Sequence, residues 1–246
     1  MSIFLVIAAW EWARLATINS NIARIIYSSL IAVILFLTWR QLANTGFVYS
    51  VLAIGVTWWG YLFICIILSK YHHITTQRSD LIQAITGGLI GLLILMPAWQ
   101  GLLLLHSSYG REYVLLVLAL VWGTDTGAYI FGKRFGKHKM APAISPGKTW
   151  EGVFGGMLTG IIVVLVAGRI LALNITDSMI LLLLAIIMII FSIVGDLAIS
   201  IFKRSRGLKD SGNIIPGHGG TLDRIDSLLA AFPVFVSGFI IVGHMF

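Results

Sequence analysis

Long runs of apolar residues dominate the chain, and short polar segments separate them. A helix that crosses the hydrocarbon core of a bilayer, about 30 Å thick, needs roughly 20 such residues. Seven runs approach or exceed this length, at about 22–39, 47–69, 82–105, 112–131, 152–173, 179–203 and 228–246. The pattern predicts an all-α, polytopic helical membrane protein with about eight transmembrane helices if a shorter first segment is counted.

That first segment, residues 1–18, is apolar but is interrupted by Glu11 and Arg14. It lacks the small-residue cleavage site of a secretory signal peptide. Two interpretations therefore stay open at this point: the segment spans the membrane, or it lies at the interface.

Composition supports the membrane class, because 58% of the residues are hydrophobic, only 11% are charged and the mean hydropathy is +0.96. Cys65 is the only cysteine, which excludes disulfides within the chain and thiolate metal clusters. No linker, low-complexity tract or convincing repeat divides the sequence. We therefore predict one integral-membrane domain over residues 1–246.

The basic residues are distributed unequally between the two predicted faces. If sides alternate, 14 of the 17 lysines and arginines fall on one side, and the other side has Arg40, Arg111 and Arg169. The positive-inside rule makes the first side cytoplasmic. The clusters at 133–148 and 203–224 both lie there, so we expect a multi-pass protein of the cell inner membrane whose site faces the cytoplasm.

Acidic residues gather at the same two clusters. Six of the ten lie in or beside them: Asp125, Glu151, Asp196, Asp210, Asp223 and Asp226. Asp196 precedes Lys203 by seven residues, or about 10 Å along a helix. It shares a helix face with Ser200 and Lys203. An ion pair between Asp196 and Lys203 is one interpretation, but acids within spans are more often functional.

Asp223 and Asp226 stand where the last span begins. A helix that starts near Thr221 places both carboxylates on one face in its first turn, where the helix dipole favours them. A helix start capped by Thr221 would explain this arrangement equally well. The preceding residues favour a phosphate site, because glycines let backbone N–H groups approach phosphate closely: Gly217, His218, Gly219 and Gly220.

Three carboxylates from two helices, Asp196, Asp223 and Asp226, have the chemistry of a site for Mg²⁺. A second metal or a monovalent cation is left open. In the 122–152 segment, Pro142 stands where a Walker A motif needs glycine, which excludes a P-loop. What remains is a glycine- and lysine-rich loop that suits a polyphosphate. Asp125 either contacts a metal or ribose, or is a hydrogen-bonded buried aspartate.

The run at 200–226 closely resembles the signature of the phosphatidate cytidylyltransferases, also called CDP-diacylglycerol synthases. The matching positions are Ser200, Lys203, Arg204, Lys209, Asp210, Gly212, Pro216, His218, Gly219, Gly220, Asp223, Arg224 and Asp226. Further positions resemble other family motifs: Trp122, Gly123, Asp125, Gly127, Ala128, Tyr129, Ser145, Pro146, Lys148, Thr149, Glu151, Gly195 and Asp196. Thr221 and Gly147 depart from the family pattern, and the N-terminus looks short beside it.

The resemblance implies that CTP and phosphatidic acid react to give CDP-diacylglycerol and pyrophosphate, with a divalent metal. It implies that Asp196, Asp223 and Asp226 hold the metal. The residues that would neutralise phosphates are Lys203, Arg204, Lys209, His218 and Arg224. The nucleotide would be bound by Ser145 and Lys148, with Asp125, Gly219 and Gly220 beside it. It also implies a homodimer in the lipid bilayer and no nucleic-acid partner.

Two other functions fit parts of the pattern. A CTP-dependent lipid-alcohol kinase is distantly similar around the same motifs, but it needs a base for its hydroxyl nucleophile. A cation-coupled transporter also places acids within spans. It does not need a dense lysine, glycine and histidine segment on one side only, so we favour the cytidylyltransferase.

Overall fold

The computed structural model describes residues 2–68, 80–212 and 219–243. In this part of the chain there are eight α-helices and one two-stranded sheet. The helices are α1 (Ser2–Leu15), α2 (Asn21–Arg40), α3 (Thr45–Ile67), α4 (Asp80–Leu104), α5 (Arg111–Phe135), α6 (Trp150–Ile170), α7 (Ile175–Ser205) and α8 (Leu222–Val242). The strands are β1 (Lys139–Ala141) and β2 (Ser145–Thr149), and a π-helical turn at Leu105–Tyr109 extends α4. The predicted helical membrane class is confirmed.

Helices α2 to α8 are each long and apolar enough to cross a bilayer, and they correspond to the seven predicted runs. Helix α1 has 14 residues. At 1.5 Å per residue it is about 21 Å long, which is less than the hydrocarbon thickness. The first segment is therefore a helix that is shorter than a complete span.

Successive long helices are joined by short connections, so they alternate in direction. Residues 16–20, 136–149 and the described parts of 206–221 consequently lie at one end of the bundle, which we call the basic end. Side-chain contacts confirm this: Arg206 Nε donates to the Leu15 carbonyl at 2.9 Å, and Arg204 Nε donates to the Ile144 carbonyl at 3.3 Å. The two basic clusters therefore meet, as predicted.

Helix α8 lies in the centre of the bundle and is buried along most of its length. It packs against α3, α4 and α7, and its large buried side chains include Phe232, Phe235 and Phe239. A span surrounded by protein contributes its polar residues to the interior rather than to lipid. The acidic start of α8 is thus placed in the middle of the basic end.

The segment between α5 and α6, expected as a loop, forms an antiparallel hairpin. Lys139 lies opposite Thr149, and Ala141 lies opposite Ser145. Thr149 also begins α6, because its side chain accepts a hydrogen bond from Gly152 N at 3.2 Å. The hairpin is the only strand pair in the described residues and forms one wall of the site.

Candidate active site

The polar face predicted on α7 is present. Ser200 Oγ donates to Asp196 Oδ1 at 3.3 Å, and Lys203 follows on the same face. The alternative interpretation, an ion pair between Asp196 and Lys203, is wrong, because each residue is paired with a different element. Helix α7 is therefore the shared support of two separate ion pairs.

Lys203 pairs with Asp223 at the start of α8. Its Nζ lies 2.7 Å from Asp223 Oδ1, and the two side chains are only 10% and 12% exposed. The other oxygen, Asp223 Oδ2, accepts hydrogen bonds from Ser211 N at 2.9 Å and Gly220 N at 3.0 Å. Asp223 thus ties α8 to α7 and holds both described flanks of the connection between them.

Asp226 lies one turn further along α8 and is buried. Its Oδ1 accepts from Ser227 N at 2.8 Å. Its carboxyl group lies within electrostatic range of Asp196, Lys203 and Lys148. The helices approach closely here, since a Cβ added at Gly195 would lie 2.7 Å from the Asp226 carbonyl oxygen. The side chains of Asp196 and Asp226 therefore belong to the same group of charged residues.

The hairpin supplies the second cation. Lys148 Nζ lies 2.7 Å from Asp196 Oδ2, with side chains 24% and 29% exposed. Asp125 on α5 interacts electrostatically with both members of this pair. Ser145, predicted to contact the nucleotide, begins β2 and is half-buried. The structure thus brings the 122–152 and 195–226 segments together, as the sequence predicted.

Further contacts fix the hairpin. His138 Nδ1 lies 2.6 Å from Glu151 Oε1, and the His138 backbone N donates to both carboxylate oxygens at 3.2 Å. On the other side, Arg204 donates to the carbonyls of Ile144 and Leu208 at 3.3 and 3.2 Å. In this conformation Arg204 joins the hairpin to α7.

The remaining predicted residues lie at the rim. Lys209 and Arg224 are exposed. Gly219 has a φ of +81°, and a Cβ there would lie 3.0 Å from Asp223 Oδ2, so this position needs glycine. Gly220 is buried and donates to Asp223. His218, with Gly217 and Pro216, lies outside the described residues.

The donor chemistry of the predicted ligands Asp196, Asp223 and Asp226 suits a hard cation. In the part of the chain that the structure describes, however, no three histidine, cysteine or acidic side chains are arranged to hold one ion. Lys148 pairs with Asp196 instead, and Lys203 pairs with Asp223. A metal held by these carboxylates would have to replace a lysine contact, and the Mg²⁺ site stays a prediction.

One acidic residue near the site was not predicted from the sequence. Glu11 on α1 is only 2% exposed, and its carboxylate accepts hydrogen bonds from the amides of Thr221 and Leu222 at 3.0 and 2.7 Å. The interpretation of Thr221 as the side-chain cap of α8 is wrong, because its side chain makes no capping hydrogen bond. An acid within an apolar segment was the available signal.

A helix bundle in the membrane, with lysines, arginines, glycines and carboxylates gathered at one end, has the architecture of an integral-membrane enzyme that acts on phosphate-bearing substrates. A sequence profile of the cytidylyltransferase family matches residues 1–242. The chain belongs to this family.

Curated relatives agree over most of the chain. The phosphatidate cytidylyltransferase of Pseudomonas aeruginosa is 42% identical over 232 residues, covering 94% of this chain and 83% of the relative. That of Haemophilus influenzae is 36% identical over 255 residues, covering 94% and 85%. That of Staphylococcus epidermidis is 51% identical over 127 residues, covering 52% and 48%.

Proposed function

We propose that this chain transfers CMP from CTP to phosphatidic acid, giving CDP-diacylglycerol and pyrophosphate for phospholipid biosynthesis. The proposal rests on two ion pairs, each with one member on α7: Lys148 with Asp196, and Lys203 with Asp223. They place anion-binding and cation-binding groups side by side where the spans meet water. A reaction between a soluble nucleotide and a lipid needs both kinds of group at this boundary.

The lipid brings its own nucleophile. A phosphate monoester has a second pKa of about 6, so it is largely a dianion near neutral pH. One of its oxygens attacks the α-phosphorus of CTP, the bond to the bridging oxygen breaks, and pyrophosphate leaves with the electron pair. No general base is required, so the protein has to position the substrates and neutralise charge.

The two paired lysines are suited to this neutralisation. Each already holds a carboxylate at 2.7 Å, and a phosphate oxygen of higher charge competes for the same Nζ. Lys148 belongs to the hairpin, so we assign it to CTP. Lys203 lies on α7 and pairs with Asp223 of α8. We assign it, with the exposed Lys209, Arg204 and Arg224, to the phosphates of lipid and nucleotide.

We also propose that Mg²⁺ is held by Asp196 and Asp226, with Asp223 joining when Lys203 moves to a phosphate. The support is that the carboxyl groups of Asp196 and Asp226 lie within electrostatic range of each other, beside a close contact between α7 and α8. Such an ion would neutralise phosphate oxygens and the leaving pyrophosphate. A second metal, a monovalent cation and a homodimer stay predictions.

The basic end is proposed to face the cytoplasm at the inner membrane. The support is the positive-inside distribution of 14 against three basic residues, together with the meeting of the two clusters in the fold. In this orientation CTP reaches the hairpin from water, and each basic residue near the surface attracts anionic lipid by about 1 kcal/mol.

The experiment uses purified protein, vesicles containing phosphatidic acid, Mg²⁺ and labelled CTP. We expect CDP-lipid and pyrophosphate in equal amounts. Asp226→Asn should lose at least about 100-fold in rate, the scale of one charge-stabilising group. The matched control is Asp177→Asn, a half-buried acid at the other end of α7, which should keep the wild-type rate. Formation of CDP and a phosphorylated alcohol would instead identify a kinase.

A further inference from the structure

The buried carboxylate of Glu11 reaches from the first helix to the start of the last one. Its Oε1 accepts from Thr221 N at 3.0 Å, and its Oε2 accepts from Leu222 N at 2.7 Å and from Ser211 Oγ at 3.0 Å. The first amides of a helix have no partner within the helix and need an acceptor. Here the acceptor comes from a residue more than 200 positions away in sequence.

The surrounding backbone is shaped to admit this carboxylate. A Cβ at Gly220 would lie 2.6 Å from Glu11 Oε1, and a Cβ at Gly212 would lie 2.9 Å from Glu11 Cδ. Both positions therefore accept only glycine while Glu11 keeps its place. These glycines belong to the two flanks of the connection that leads into α8.

Contacts with other helices hold α1 in place, so the position of Glu11 is also fixed. Trp12 Nε1 donates to the Gly87 carbonyl at 2.8 Å, and its ring meets Phe202 edge-on with centroids 5.0 Å apart. At the end of α1, Arg206 donates to the Leu15 carbonyl at 2.9 Å. The short first helix is thus tied to both α4 and α7.

Two carboxylates hold the same short backbone segments. Asp223 Oδ2 binds the amides of Ser211 and Gly220, while Glu11 binds the Ser211 hydroxyl and the next two amides, of Thr221 and Leu222. A shift of this backbone moves Asp223, and Asp223 in turn fixes the ammonium of Lys203.

We infer that Glu11 is a positioning residue for the CMP transfer, which sets the places of Asp223 and Lys203 without touching either substrate. This inference rests on the proposed function for its kinetic part. Its structural part, that Glu11 orders the start of α8, can be tested independently.

The test variant is Glu11→Gln, which retains one acceptor oxygen but offers an NH₂ group where the second acceptor was. We expect kcat per folded protein to fall about 100-fold, the scale of a 1 Å misplacement near the reaction centre. The KM for CTP should change much less than kcat. Amide hydrogen exchange should accelerate at residues 219–226 and stay unchanged in α5 and α6.

Glu112→Gln is the matched control, because Glu112 is an exposed glutamate at the start of α5 and at the opposite end of the bundle. It should behave as wild type. Ser211→Ala gives a second test if Glu11→Gln does not accumulate. It removes one of the three hydrogen bonds that Ser211, Thr221 and Leu222 donate to Glu11. We expect a loss in kcat of about threefold to tenfold with the same local exchange pattern.

The outcomes separate the two proposals. Wild-type kcat in Glu11→Gln or, if that variant does not accumulate, in Ser211→Ala would overturn the role of Glu11. So would a lower kcat with unchanged exchange at 219–226. If the unmodified protein makes no CDP-lipid, the proposed function fails, while the exchange experiment still decides whether Glu11 orders the start of α8.

Discussion

Replacing Lys203 by methionine tests how the site is held together. The substitution keeps most of the side-chain volume and removes the charge that lies 2.7 Å from Asp223 Oδ1. Asp223 keeps its hydrogen bonds from the amides of Ser211 and Gly220. The variant therefore isolates the contribution of one ammonium group to the junction of α7 and α8.

The expected loss of stability follows from burial. The side chains of Lys203 and Asp223 are 10% and 12% exposed, and removing one partner of such a pair costs about 3–5 kcal/mol. Because two amides still stabilise Asp223, we expect the lower value, about 3 kcal/mol. The Lys148–Asp196 pair is 24% and 29% exposed, so Lys148→Met should cost only about 1 kcal/mol.

Both variants are unfolded in detergent micelles by adding a denaturing detergent, and circular dichroism follows the transition. The measurement gives the free energy of unfolding of each variant. The double variant Lys203→Met with Asp223→Asn should lose less than the sum of the single changes, because no buried charge is left alone. If Lys203→Met is no less stable than Lys148→Met, the assignment of the Lys203 pair as the stronger link is refuted.

Two further changes probe the walls of the site. Gly195→Ala should destabilise the protein by about 1–3 kcal/mol, because its Cβ would lie 2.7 Å from the Asp226 carbonyl oxygen. Gly60→Ala is its control, because a Cβ added there has no neighbouring atom from another part of the chain within 4 Å. It should be neutral or stabilising by up to about 1 kcal/mol in the same assay. Arg204→Met should raise the KM for CTP about tenfold by releasing the hairpin carbonyl of Ile144. An unchanged KM in steady-state kinetics would contradict that role.

The spans were predictable because bilayer thickness fixes the length of an apolar helix. The predicted run at 22–39 compares with α2 at Asn21–Arg40. Helix α7 begins four residues before the predicted run, at Ile175 rather than 179, because the side chain of Asn174 accepts from Asp177 N and starts the helix there. Hydropathy alone did not indicate this capping contact.

Most residues of the candidate site could be predicted from the sequence, but the ion pairs that they form could not. Helical spacing placed Asp196 and Lys203 on one face, but the partner of each lies on another element, and periodicity carries no information about that. The glycine- and lysine-rich segment before α6 was expected as a loop, and its Pro146 and Gly147 are residue types that are uncommon within strands. The contacts of Glu11 join the two ends of the chain, and no local pattern reveals them.

The two sides of the site are packed differently: α7 and α8 approach each other closely at Gly195, whereas the hairpin is joined to α7 by side chains. A packed backbone contact opens only at a large cost, so these helices form a stationary wall. The facing hairpin is joined to α7 by the Lys148 ion pair and the Arg204 hydrogen bond, and incoming phosphates can compete for both groups. Substrate phosphates should therefore act first on the contacts between the hairpin and α7, and leave the packing of α7 against α8 unchanged.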